Sequence, residues 1–155
     1  MKKVPTEFTI EIGDAKDMFW IAECQVAMAK ETENFELNYE TVVNGVRFMF
    51  DNPDRGFYVI ARQSSLEPAG ILLVLKEWSD WRNGDVWWLH SVYVIPKYRR
   101  QNIFSRMFQF VEKIAQEKNV KGIRLYVDKT NLKAQQVYEK LQMTKEHYEM
   151  YEKMF

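Results

Sequence analysis

Cysteine is close to absent in this 155-residue chain, where Cys24 stands alone. No intrachain disulfide can form, and a reducing compartment, the cytoplasm, is the expected location. Net charge is lacking too, because 22 lysines and arginines balance 22 aspartates and glutamates. Bulk charge therefore draws in neither nucleic acid nor an anionic membrane. The longest aliphatic run, Ile71-Leu72-Leu73-Val74-Leu75, is far too short to cross a bilayer. Lys2 and Lys3 near the start have no apolar signal-peptide core behind them. Repeats, low-complexity tracts and linkers are missing, so residues 1–155 read as one domain.

What the chain does have is a high aromatic content, 15%, which argues against disorder. Its charges are unevenly spread. Acidic residues outnumber basic ones over residues 14–54, and the reverse holds from residue 97 onward. One end of the molecule thus favours a cation and the other an anion.

Hydrophobic periodicity divides the chain into alternating elements. Residues 8–12 alternate as a strand. Asp14 is placed to cap a helix reaching about residue 30, and Asn38 a second that stops before Asp51-Asn52-Pro53. Residues 57–62, 70–78 and 85–94 read as strands, the last two joined at Asn83-Gly84, a type I′ hairpin signal. A helix over about 102–118 carries Ile103, Met107, Phe110, Val111 and Ile114 on one face. A strand at 122–127, a short helix from Asn131 to about residue 141 and a last extended stretch at 147–153 complete the order. Antiparallel hairpins with one strand-helix-strand crossover define an α+β, mixed-sheet class.

The informative segment is Ser91-Val92-Tyr93-Val94-Ile95-Pro96-Lys97-Tyr98-Arg99-Arg100-Gln101-Asn102-Ile103-Phe104-Ser105. A strand ends, a short basic loop turns, and a helix begins. The first N–H groups of a helix have no intrahelical partner, and the helix dipole adds positive potential there. Such a turn binds phosphate oxygens, and Arg99 and Arg100 add charge beside it. From the residues alone this is a candidate pyrophosphate site.

This segment resembles the acetyl-CoA motif of the GNAT acetyltransferase superfamily, Arg/Gln-x-x-Gly-x-Gly/Ala after a β-strand. Asn131-Leu132-Lys133-Ala134-Gln135-Gln136-Val137-Tyr138-Glu139-Lys140-Leu141-Gln142-Met143 is similar to its later block, Asn-x-x-Ala-x-x-x-Tyr-x-x-x-Gly-Phe/Met. The likeness is sharp over residues 87–143, with some likeness to diamine- and polyamine-acetylating members. Asn102, Phe104 and Gln142 depart from the family's small residues. Asparagine tolerates positive φ, and Phe104 is expected to turn into the core with Phe108 and Val111.

The resemblance implies a mixed, mostly antiparallel sheet of six to seven strands flanked by about four helices. It implies acetyl-CoA as cosubstrate, no metal, and direct transfer to an amine in a ternary complex. The cofactor-binding set is then Val92, Val94, Arg99, Arg100, Gln101, Asn102, Ile103, Phe104, Ser105, Asn131 and Ala134. Tyr138 takes the place of the family's general acid, with a packed core tyrosine as the plain alternative. His90 stands where polyamine-acetylating relatives carry a glutamate, as base or as an ordinary packed histidine. Glu23, Glu31, Glu33, Glu36 and Glu40 fall on an acceptor wall and would attract a cationic amine, unless they are a solvated helix surface. The tryptophans between 78 and 88 suit either an acceptor cleft or a homodimer contact. The expected partners are acetyl-CoA and a small amine. The rivals are a peptide or protein N-acetyltransferase and a non-catalytic acyl-CoA-binding or interaction module.

Overall fold

In a computed structural model, which describes residues 7–155, the elements follow in nearly the expected order; Lys2 and Lys3 lie outside the described residues. They are β1 (Phe8–Ile12), a 3-10 turn (Ala15–Asp17), α1 (Met18–Glu33), α2 (Tyr39–Asp51), β2 (Gly56–Gln63), β3 (Pro68–Ser79) and β4 (Gly84–Val94). A second 3-10 turn (Pro96–Tyr98), α3 (Ile103–Glu117), β5 (Gly122–Leu125) and α4 (Leu132–Lys140) complete the chain. The sheet order is β1-β2-β3-β4-β5, antiparallel through β4, with β5 added parallel to β4.

The sheet therefore has five strands among the described residues, not six or seven. Residues 147–153, expected to be extended and paired, join no ladder. A strand is stabilised by a hydrogen-bonded neighbour and a buried face, and residues 144–155 are exposed throughout, so this segment has neither. The fifth strand is also shorter than expected, because the chain leaves β4 after Leu125. The Asn83-Gly84 hairpin forms, but through a four-residue loop: Ser79 pairs with Gly84, and only Asn83 of the two takes positive φ, at 47°.

Both faces of the sheet are covered, which is why β2 and β3 read as continuous apolar runs. On one face α3 buries Ile103, Met107, Phe108, Val111 and Ala115 against Val59, Leu72, Val74, Trp87 and Leu89. On the other, α1 and α2 bury Ile21, Ala22, Cys24, Val43 and Val46 against Tyr58, Ile60, Ile71 and Leu73. Each fully buried Val, Ile, Phe or Met among them contributes about 1.5–3 kcal/mol, so each helix is fixed by its apolar stripe. Asp14 caps the 3-10 turn leading into α1, and its carboxylate accepts from the Lys16 N–H at 2.9 Å. Beneath that turn the buried Arg62 guanidinium holds Asp17 at 2.5 Å and also pairs with Glu11. This network locks the start of α1 to β1 and β2.

Candidate active site

Two local distortions open the sheet. In β4, Tyr93 pairs with Ile71 and His90 with Leu73, so Ser91 and Val92 together oppose Leu72. Ser91 takes φ of 52° to make this bulge. An extra residue breaks the ladder and leaves backbone groups unpaired. It also resets the alternation of side chains: Leu89, Val92 and Val94 face α3, while Tyr93 faces α1 and His90 shares its side. Past Leu125, β5 diverges from β4. The gap is a cleft of about 270 Å³, lined on its β4 wall by His90, Ser91 and Val92 and on the other by Tyr126, Asp128, Asn131 and Tyr138.

The turn before α3 supplies the second part. Arg100 and Asn102 adopt left-handed φ of 63° and 57°, and no side chain caps the helix. The first-turn N–H groups of Ile103, Phe104 and Ser105 therefore lack both an intrahelical acceptor and a side-chain acceptor. The turn is held rigidly from below. The hydroxyl of buried Tyr98 lies 2.5 Å from Gln63 and 2.7 Å from the Glu67 carboxylate, which accepts its single proton, and Lys97 pairs with Glu67 at 2.5 Å. This is an uncapped, pre-set cradle of amides, and it fits a pyrophosphate.

The arginines divide. Arg99 turns away from the cradle: its Nε donates to the Val94 carbonyl at 2.9 Å and its guanidinium clasps Glu31 of α1 at 2.6 and 2.9 Å. Tyr93 lies beneath it, 5.6 Å from the guanidinium to the ring centroid. The Glu31 carboxyl is held below its ordinary pKa, chiefly by the Arg99 hydrogen bond. Arg100 has no ion-pair or side-chain hydrogen-bond partner among the described residues, which leaves it available beside the cradle.

Phe104 does pack toward the core beside Phe108, at 6.2 Å between centroids, and it has a further role. Its ring meets Tyr138 edge-on at 5.5 Å and backs that tyrosine where it lines the cleft. Ile103 is buried, so only its backbone can serve a ligand. Asn131 caps α4 by accepting from the Ala134 N–H at 3.1 Å, and it also borders the cleft. Burial raises the Tyr138 pKa and lowers that of His90. At neutral pH the first therefore stays protonated and the second stays neutral, the states required of an acid and a base.

Elsewhere the site residues separate from the remaining candidates. His147 is exposed beside Glu146, far along the unpaired final segment. Cys24 is buried in the α1 face and its thiol is pushed up to about 12 by burial, so it is no nucleophile. Of the five glutamates on α1, α2 and their link, Glu31 is taken by Arg99 and Glu36 by Lys30 at 3.1 Å. No group of three metal-ligating side chains converges among the described residues. No helix of the described residues is long and apolar enough to cross a membrane. The reading of the residues did not foresee the Ser91 bulge, the Glu31–Arg99 clasp, Tyr126 or Asp128. A serine at the bulge gives no glycine signal, and the other three depend on contacts distant in sequence.

A mixed sheet splayed at β4 and β5, with an uncapped helix start beside the opening, suits an extended ligand that carries phosphate at one end. Residues 15–143 match the acetyltransferase (GNAT) family, and the chain belongs to that family. A solved structure of a possible acetyltransferase from Clostridium difficile 630 is 35% identical, with a TM-score of 0.87 over 96% of this chain and 97% of that one. A predicted acetyltransferase with acetyl-CoA from Clostridium acetobutylicum is 16% identical, with a TM-score of 0.77 over 95% and 96%. A transcriptional regulator from Bacillus halodurans C-125 is 18% identical, with a TM-score of 0.81 over 96% and 100%. The last two share the fold alone. No curated protein matches the chain.

Proposed function

We propose that this acetyltransferase is an N-acetyltransferase, carrying acetyl from acetyl-CoA to a small primary amine by direct attack in a ternary complex. The observation that carries the reading is the cleft itself, with His90 on its α1 side and Tyr138 opposite, beside a pre-set amide cradle. The first-turn amides of α3 and the Arg100 guanidinium hold the pyrophosphate. Val92 and Val94 offer backbone groups to the pantetheine arm, and the bulge at Ser91 frees an N–H to polarise the thioester carbonyl. An alkylamine is protonated at neutral pH, so it must lose a proton before attack. Neutral His90 accepts it, directly or through water, and Tyr138 supplies a proton to the departing thiolate.

The amine is cationic in this reading, and Glu23, Glu33 and Glu40 support its attraction from the α1–α2 side. Phe104, which departs from the family's small residue, packs edge-on against Tyr138 and so supports the catalytic reading over a non-catalytic acyl-CoA-binding module. Trp78 and Trp81, both exposed at the β3–β4 hairpin, support a homodimer contact, which sedimentation would test. The transferase reading is tested by mixing protein, acetyl-CoA and a panel of primary amines while following free thiol and the acetylated product by mass. Stoichiometric release of both is expected. Thiol release without an acetylated amine would contradict it.

A further inference from the structure

Beyond the helices, the α1 side of the sheet carries an aromatic surface that neither core uses. Trp88 of β4 and Arg124 of β5 pair in register on this face, near His90, and Tyr126 follows directly after the end of β5. The Tyr126 ring stacks on Trp88 at 4.7 Å with 29° between planes, and His90 meets it edge-on at 6.0 Å. Trp88 is fixed in place: its Nε1 donates to Glu77 at 3.0 Å, and Arg124, paired with Glu77 at 3.5 Å, lies 5.8 Å from the Trp88 ring. Tyr126 is 55% exposed although it also lines the cleft. The result is a rigid two-ring stack, open on the Tyr126 side and continuous with the cleft through His90.

We infer that this stack is the acceptor subsite and that it takes a primary amine bearing a planar aromatic ring on a short alkyl chain. The inference rests on the transferase reading and narrows its acceptor. A third ring laid on the open face of Tyr126 extends the Trp88–Tyr126 stack in the offset geometry aromatic pairs prefer, and its short chain reaches toward His90. Two features favour a ring over a bare cation on this surface. Arg124 already occupies the cationic position beside Trp88, so a second positive charge there is repelled. Glu77, the nearby carboxylate, is engaged by both Arg124 and the Trp88 N–H. The carboxylates of the acceptor wall are partly engaged as well, since Glu31 and Glu36 are paired within the chain. Recognition therefore falls to the rings, which are already ordered and lose little freedom on binding.

The test uses matched amines of equal chain length, one ending in phenyl and one in cyclohexyl, with the intact chain, Tyr126→Phe and Tyr126→Ala. Equilibrium binding is read by calorimetry and transfer by kcat/KM. The phenyl amine should bind and react at least ten-fold better, mainly through KM. Tyr126→Phe should keep that ratio and Tyr126→Ala should bring it close to one. Equal handling of the two amines, or a ratio that survives Tyr126→Ala, overturns the subsite. Selective binding that depends on Tyr126 but yields no transfer upholds the subsite while removing the transferase reading. Equal transfer of both amines does the reverse.

Discussion

The two faces of one sheet build the two halves of this site by different rules. On the α3 side the cofactor half is made of backbone: left-handed Arg100 and Asn102, an uncapped helix start and a strand bulge. On the α1 side, the half proposed to take the acceptor is made of side chains, Glu31 with Arg99 and Trp88 on Tyr126, with His90 beside the stack. Backbone sites tolerate unusual side chains so long as the dihedrals hold. That is how Asn102 and Phe104 can stand where the family has small residues. Side-chain sites have no such tolerance, and they are where relatives of one fold diverge.

The comparison breaks most sharply at the residue the halves share. Tyr138→Phe keeps the ring that packs on Phe104 but removes the donor. It should lower kcat by about a hundred-fold or more, the usual contribution of a general acid, while acetyl-CoA affinity changes little. Steady-state rates with calorimetry check both. An unaltered kcat would return Tyr138 to a packing role.

The α1 side of the sheet is anchored by the buried Arg62 network. Asp17→Ala leaves the Arg62 guanidinium with only Glu11, which is partly exposed. Removing one partner of a buried pair costs about 3 kcal/mol or more, read as a lower urea midpoint with an unchanged slope.

The arginines sharpen the contrast further. Arg100→Ala should weaken acetyl-CoA binding about ten-fold, the size of one charge-assisted contact, and reduce the salt dependence of binding. Arg99→Ala should affect the cofactor less and the amine KM more, because Arg99 is held by Glu31 rather than by the cradle. Equal effects of both substitutions on cofactor binding would erase the distinction.

The smallest effect is on pH. Burial lowers the pKa of His90, so its neutral form persists to lower pH than for an ordinary histidine. The activity should fall only as pH drops through that lowered value, and His90→Gln should remove this acid limb from the kcat/KM profile. The opposite limb should lie above the ordinary tyrosine range, since burial raises Tyr138.

The same contrast governs what could be read from the residues alone. The strand-loop-helix over 91–105, Asn131 as cap, and the Asn102 conformation follow from local propensities, and the structure matches each. Residues 147–153 are expected to be extended, but a strand needs a neighbour, and none pairs with them among the described residues. Arg99 looked like a phosphate ligand because charge beside a helix start is a local signal. Its actual partner, Glu31, is 68 residues away. Trp88 and Tyr126 likewise meet only because β5, which ends just before Tyr126, pairs with β4 across a long stretch of sequence.

The measurement that tests the account most directly is calorimetric titration with acetyl-CoA beside its acetyl-pantetheine fragment, which lacks the pyrophosphate. The account predicts that acetyl-CoA binds and that the fragment binds far more weakly, with Arg100→Ala narrowing the difference. Equal binding of the two, or none at millimolar acetyl-CoA, would contradict a cradle built from the α3 amides.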